Sequence, residues 1–464
     1  MQAQREDVAQ AIAPNVSSHE AWLRENQPQA LEQLWLMADA TRARFVGNDV
    51  ELCGTIKISN HCMQPCGYCG LRMNYDRVAR YRMSSVQMLS CARQAVELEY
   101  RSVLLQAAGD KLISAEWLAD IIRLIRTETG LSVGLSLGER SEADLAMLRE
   151  AGADAYFLRF QTSDPALYKM LHALPADETP QRLKLLESLR RLGYRLGSGL
   201  LVGLPGQTYA GLATDVDLMR SLDLDWAIIS PYVPDPTTPI GRGDWRFVTP
   251  EAEQVPNSDI ETFKVMAALR LLCPEISIPA TAALATIGQP DALTLALRRG
   301  ANALFMELTP NRNRMHYRCY PERYVLEDAS HLSGESEVRQ LLIQIGRHPA
   351  TNGAANAVVE RASVPASANS SEEQAGRDAR PTGVLPIGVC MGSSCFSRGN
   401  NQIVMAVKDF IRRHKLEERV ALEGHLCQGM CKNGPNLTIG CEQHQPADAV
   451  TIIGMLKRHF RLKD

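Results

Sequence analysis

The stretch TIKISNHCMQPCGYCGLRMN, Thr55 to Asn74, decides how the chain is read. Its first residues close an apolar β-type run that starts at Leu52, and three cysteines, Cys62, Cys66 and Cys69, follow within eight residues. In a parallel barrel, the loop after a strand emerges at the rim where chemistry is done. Three thiolates hold three irons of a 4Fe-4S cube, whereas a closed cluster takes four, so the missing ligand leaves one iron open. Zinc is the competing reading and would need a further ligand such as His61.

Working outward, runs of the same β-type recur at Ser102–Gln106, Ser132–Ser136, Ala155–Arg159, Leu196–Val202, Trp226–Ser230, Glu275–Ile278 and Ala303–Met306. Helical stretches such as SSVQMLSCARQAVELEY and SEADLAMLREAG separate them. With Leu52–Ser59 they make eight, and the alternation predicts an α/β fold, a (β/α)8 TIM-type barrel over residues 51–350. Residues 1–50, with SHEAWLRENQPQALEQLWLMADATRARFV, read as an N-terminal helical cap outside it.

Residues 351–382 contain eight Ala and three Val but no Leu, Ile, Met or aromatic residue, which predicts a disordered linker. About 32 flexible residues reach roughly 30 Å. Residues 383–464 then form a second, smaller α/β domain: a strand in LPIGVCMGSSC, an amphipathic helix in NQIVMAVKDFIRRH, and strands or turns in VALEGHLCQGM and LTIGCEQ. Here Cys390 and Cys395 lie four residues apart, Cys427 and Cys431 three, with 31 residues between the pairs. Four thiolates suit a 2Fe-2S centre. Four-cysteine zinc competes, although its pairs more often sit two residues apart.

The 464 residues are 45% hydrophobic, enough for a large core. Fifty Lys and Arg against 53 Asp and Glu give a net charge of -3, which argues against a nucleic-acid or anionic-membrane partner. MQAQREDVAQAIAP lacks the apolar core of a secretory signal, and no run of 18 apolar residues exists for a membrane span, so the expected location is the cytoplasm. There the 12 cysteines read as metal ligands or buried thiols; Cys53, Cys91, Cys273, Cys319 and Cys441, outside both clusters, read as small buried hydrophobes.

CxxxCxxC with an aromatic, Tyr68, before the last Cys resembles the signature of radical S-adenosylmethionine (SAM) enzymes. NHCMQPCGYCGLRMN, LLQAAGD, LSLGER, AGADAYFLRFQTSDPALYKMLH, RLGYRLGSGLLVGLPGQT and ISPYVPDPTTPIG are similar to the group containing the iron-only hydrogenase maturase HydE, biotin synthase and methylornithine synthase, over roughly residues 45 to 325. The resemblance implies SAM bound to the open iron and cleaved by one electron to a 5′-deoxyadenosyl radical. Residue by residue, it implies that Ala108-Gly109-Asp110 meets the SAM amino group, Glu139 the ribose hydroxyls and Arg159 the carboxylate, with Tyr68 also at the cofactor. Each charged residue could instead be a structural ion pair. Where that group reads Arg-His-Glu-Thr, this chain reads Arg159-Phe160-Gln161-Thr162, so a His and a carboxylate are absent from a loop expected to face substrate. The lone Cys319 cannot supply an accessory cluster, and none is expected.

CQGMCKNGPNLTI and the helix before it resemble the thioredoxin-like 2Fe-2S ferredoxins. The implied cofactors are thus a 4Fe-4S cluster, SAM and a 2Fe-2S cluster. The implied function is HydE-like radical chemistry in hydrogenase metallocofactor (H-cluster) maturation, on a small-molecule or metallocofactor-precursor substrate, with an electron donor protein and other maturases as partners. Alternatives are a biosynthetic substrate, as in biotin synthase or methylornithine synthase, or a non-catalytic iron-sulfur scaffold or electron carrier.

Overall fold

The computed structural model describes residues 19–175, 181–245, 249–325, 337–350, 385–390, 401–416, 419–425, 437–439, 442–444 and 449–460. The chain divides into two compact units, residues 1–364 and 365–464. Its boundary falls within 351–382, a segment outside the described residues.

Eight parallel strands form the first unit: β1 (Asp49–Ser59), β2 (Ser102–Ala107), β3 (Ser132–Ser136), β4 (Ala153–Phe157), β5 (Arg195–Val202), β6 (Trp226–Pro231), β7 (Pro279–Ala280) and β8 (Ala303–Glu307). They are neighbours in the order β6-β5-β4-β3-β2-β1-β8-β7. Strands covered on both faces read as near-continuous apolar runs, which is why the sequence reveals them. Between them, helices start at side-chain caps: Ser84, Ser114, Ser141, Thr208, Ser258 and Thr281 each accept a backbone N–H of the first turn. Such a cap contributes about 1 kcal/mol and stops the preceding loop at a defined residue.

Two expected strands move. The seventh, expected at Glu275–Ile278, divides its pairing between two neighbours. Ser277 bridges Trp226 of β6, while the strand proper shifts to Pro279–Ala280 against β8. Ile278 gives its N–H to the Asn302 side chain at 2.8 Å, and Pro279 has none to give, so neither ladder extends further. The fourth ends at Phe157, two residues before Arg159. Beyond it the chain lifts, and Gln161 re-pairs with β5 in a left-handed conformation, φ 73°.

The two N-terminal helices, His19–Arg24 and Pro28–Phe45, pack against the helix Asp259–Leu272 through an edge-to-face Trp35–Phe263 pair and a bond from Lys264 Nζ to the Leu23 carbonyl. A short strand β9 (His348–Pro349) pairs with the start of β1. The closed end of the barrel is filled by Leu104, Phe157, Trp226, Ile228 and Phe305.

In the second unit, β10 (Leu385–Cys390), β11 (Val420–His425), β12 (Leu437–Ile439) and β13 (Glu442–His444) form a sheet ordered β11-β10-β12-β13. The β10/β11 pair is parallel and the others antiparallel. Ile403, Val407 and Phe410 of the helix Asn401–Arg413 share a separate core with Ile387, Leu437, Ile452 and Leu456. Among the described residues, no helix is long and apolar enough to cross a membrane.

Candidate functional site

Cys62, Cys66, Tyr68 and Cys69 all line one cavity of about 330 Å³ at the C-terminal end of the barrel. Their loop is pinned from several sides. Asn60 Nδ2 donates to the carbonyls of Ala79 and His316, both at 2.8 Å, and Arg80 donates to Asn60, Leu71, Arg72 and Tyr75 carbonyls. Gly67 lies against the Trp245 ring, where a Cβ would come within 2.1 Å of a ring carbon. On the next loop Gly109, at φ 108°, lets the chain pass Cys62, whose sulfur is 3.4 Å from where a Cβ would stand.

Burial pushes the Cys66 thiol up to about 12, and raises Cys62 and Cys69 in the same direction. These thiols do not ionise unaided at neutral pH; coordination to a metal deprotonates them. Backbone N–H groups already point at two sulfurs, Gln64 at Cys62 and Leu71 at Cys69, each at 3.4 Å.

Ala108 and Gly109 line the cavity, but Asp110 does not. Its carboxylate is buried, accepting from Ser59 Oγ at 2.7 Å, Arg82 at 2.5 and 3.0 Å, and the Leu112 N–H at 3.1 Å. Although burial opposes it, these donors hold the carboxyl below its ordinary range. Of the three residues expected at SAM, Ala108 and Gly109 therefore face the cavity, while the Asp110 side chain is engaged within the loops around it. Glu139 faces the cavity and pairs with Arg182 at 2.7 Å. Arg182 also donates to the Arg159 carbonyl at 3.0 Å and lies over the Tyr168 ring.

Arg159 itself lines the cavity two residues beyond β4. Burial lowers the pKa of its guanidinium, while Tyr68, Tyr320, Cys319 and Tyr317 oppose that shift. The departing pair Phe160-Gln161 splits. Phe160 turns into the core, while Gln161 faces the cavity, gives Nε2 to Tyr68 Oη at 2.9 Å and leaves Oε1 buried without a partner. Only one of the two changes therefore alters the wall.

Sequence reasoning missed much of the far wall. Lys57 and Glu307 form a buried ion pair, with Arg323 also at Glu307, and Ser230 Oγ and Tyr232 Oη are buried without partners among the described residues. Cys319, expected to be a buried hydrophobe, lines the same cavity, and its carbonyl accepts the Gly70 N–H at 2.9 Å. Cys53 and Cys91 are buried as expected. Arg182 had no motif to mark it. The lining residues include six cations, Lys57, Arg72, Lys111, Arg159, Arg182 and Arg323, against two carboxylates, Glu139 and Glu307. In the second unit Cys390 closes β10, while Cys395, Cys427, Cys431 and Cys441 lie outside the described residues.

Residues 56–219 match the radical SAM superfamily, and residues 378–459 match the thioredoxin-like 2Fe-2S ferredoxins. The chain is 36% identical over 293 residues to the FeFe hydrogenase maturase subunit HydE of Thermotoga maritima, covering 62% of this chain and 79% of that one. It is 26% identical to the 3-methylornithine synthase of Methanosarcina acetivorans, covering 61% and 76%, and 27% identical to the biotin synthase of Anaeromyxobacter dehalogenans, covering 53% and 66%. Among solved structures, methylornithine synthase (PylB) shares the fold with a TM-score of 0.61 at 21% identity, over 76% of this chain and 99% of that one.

A radical SAM domain takes a 4Fe-4S cluster and SAM, and a thioredoxin-like ferredoxin domain a 2Fe-2S cluster. The first site fits. Among the described residues no three His, Cys, Asp or Glu side chains close on a single point, as one zinc ion would need. The three thiols instead line one cavity, with N–H donors at the sulfurs of Cys62 and Cys69 and an excess of positive charge around them.

Proposed function

Because the chain belongs to the radical SAM superfamily, in the HydE-like group, we propose that it cleaves SAM reductively and acts in the maturation of a hydrogenase metallocofactor. The observation that carries this is the convergence of Cys62, Cys66 and Cys69 with Gly109, Glu139 and Arg159 on one cavity. When bound and reduced, the 4Fe-4S cluster would supply one electron to the sulfonium of SAM, whose S–C5′ bond would break to give methionine and a 5′-deoxyadenosyl radical. Cys62, Cys66 and Cys69 hold three irons. The strand-end backbone at Ala108 and Gly109 receives the SAM amino group, Glu139 the ribose hydroxyls and Arg159 the carboxylate, for which a planar guanidinium is suited. Tyr68, steadied by Gln161, closes the wall between them. The aromatic floor excludes water from below.

The cationic excess favours a substrate that carries negative charge, such as a metallocofactor precursor. Incubating the reconstituted chain anaerobically with SAM and dithionite tests the enzyme reading: it yields 5′-deoxyadenosine, whereas a cluster scaffold yields none. Supplying the chain to a hydrogenase maturation mixture that lacks HydE tests the finer reading; restored hydrogenase activity supports it, and turnover of lysine or dethiobiotin instead favours a biosynthetic role.

In this reading the chain works in the cytoplasm, beside other maturases. The second unit, held by Cys390, Cys395, Cys427 and Cys431 to a 2Fe-2S centre, supplies electrons at the high effective concentration that a tether provides. A chain ending at Ala350 then forms 5′-deoxyadenosine more slowly with a physiological reductant and at the same rate with dithionite. Equal rates under both conditions, with partner binding lost, would make the second unit a recruitment module.

A further inference from the structure

The helix Pro165–His172 ends against the cysteine loop. Its last residue, His172, is 2% exposed, and Nδ1 lies 3.2 Å from Cys66 Sγ. The ring is held in that pose from three directions. Tyr168, one turn earlier, lies tilted against it at 4.4 Å; Tyr68 meets it edge-on at 5.8 Å; and the Gly67 N–H ties the loop to the Leu171 carbonyl at 2.8 Å. Ala173 follows in a left-handed conformation, φ 51°, which turns the chain away directly after the histidine. The other ring nitrogen, Nε2, is buried with no partner among the described residues, so Cys66 is the one polar group the imidazole serves there.

With a metal on Cys66 the sulfur carries no proton, and a hydrogen bond across 3.2 Å then requires the proton on Nδ1. We propose that His172 donates Nδ1–H to Cys66 Sγ and thereby raises the reduction potential of the cluster at Cys62, Cys66 and Cys69. This rests on the reading of those cysteines as cluster ligands. The reduced cluster carries one more electron, part of it on the thiolate sulfurs, so an N–H donor there stabilises the reduced state more than the oxidised state. The donor also offsets its own helix, whose C-terminal end disfavours negative charge at Cys66. His172 acts through Cys66 and is a positioning residue, not a catalytic one.

The test uses the full chain, reconstituted anaerobically, with iron counted and the 4Fe-4S midpoint potential read by an EPR-monitored redox titration. His172→Phe keeps a ring and removes the donor; the potential should fall by about 59 mV, a tenfold shift for a one-electron couple. His172→Asn places an amide N–H near the position of Nδ1 and should restore most of that shift. His172→Gln places it near Nε2 and should behave like Phe. If the Phe variant does not fold, the Asn and Gln variants carry the comparison. Equal potentials in wild type, Asn and Gln at equal iron content would overturn the proposal. Absence of any SAM-responsive 4Fe-4S signal in the wild type would overturn instead the reading on which it rests.

Discussion

At the closed end of the barrel, Trp226 packs edge-on against Phe157 at 5.6 Å and stacks on Phe305 at 5.9 Å. At the open end, the same interior carries six cations, two carboxylates, four thiols, and hydroxyl and amide oxygens with no partner among the described residues. The floor satisfies itself by apolar contact. The mouth keeps buried polar groups that lower stability unless something fills them. The difference separates residues that build the barrel from residues that wait for a ligand, and it predicts that substitutions at the two ends fail in different assays.

The largest stability effect belongs to the floor. Trp226→Ala should cost about 3–5 kcal/mol, read from the chemical unfolding midpoint, because it leaves a cavity between Phe157 and Phe305. If the loss is below about 1 kcal/mol, the floor is not a packed plug.

At the mouth, Glu139→Ala and Arg159→Ala should each weaken SAM binding by about 1.5–3 kcal/mol, the worth of one charge-assisted hydrogen bond. Iron content should stay at the wild-type value. Unchanged affinity in both variants would mean that SAM lies against other groups on this wall, with Arg182 the first to examine.

Asp110→Ala sits on the border between the two ends and sharpens the comparison. It removes the acceptor of Ser59, Arg82 and the Leu112 N–H, and should cost about 1–3 kcal/mol of stability. SAM affinity, by titration, should stay as in wild type. A variant of normal stability that binds SAM poorly would return Asp110 to the cofactor site.

The sequence made the floor's strands legible because parallel strands buried on both faces are apolar throughout. β7 was displaced because the segment divides its backbone pairing between β6 and β8 and gives the Ile278 N–H to the Asn302 side chain, which leaves no trace in local propensity. The mouth was legible where residues fall in a compact motif, as with Cys62, Cys66, Tyr68 and Cys69. Arg182 and His172 were not, since one reaches the cavity from a separate helix start and the other reaches Cys66 from a helix end. Within the stretch expected at the SAM amino group, Asp110 differs from Ala108 and Gly109 in facing away from the cavity. Its neighbours line the cavity by backbone, and its own side chain turns to Arg82.

The account stands most directly on the iron that Cys62, Cys66 and Cys69 hold. The reconstituted full chain should contain about six irons, four at this triplet and two in the ferredoxin domain. With Cys62→Ala, Cys66→Ala and Cys69→Ala combined, the chain should keep about two, with a 2Fe-2S spectrum alone and no 5′-deoxyadenosine formed from SAM. A 4Fe-4S signal that persists in that variant and still changes on adding SAM would contradict the assignment of the cavity.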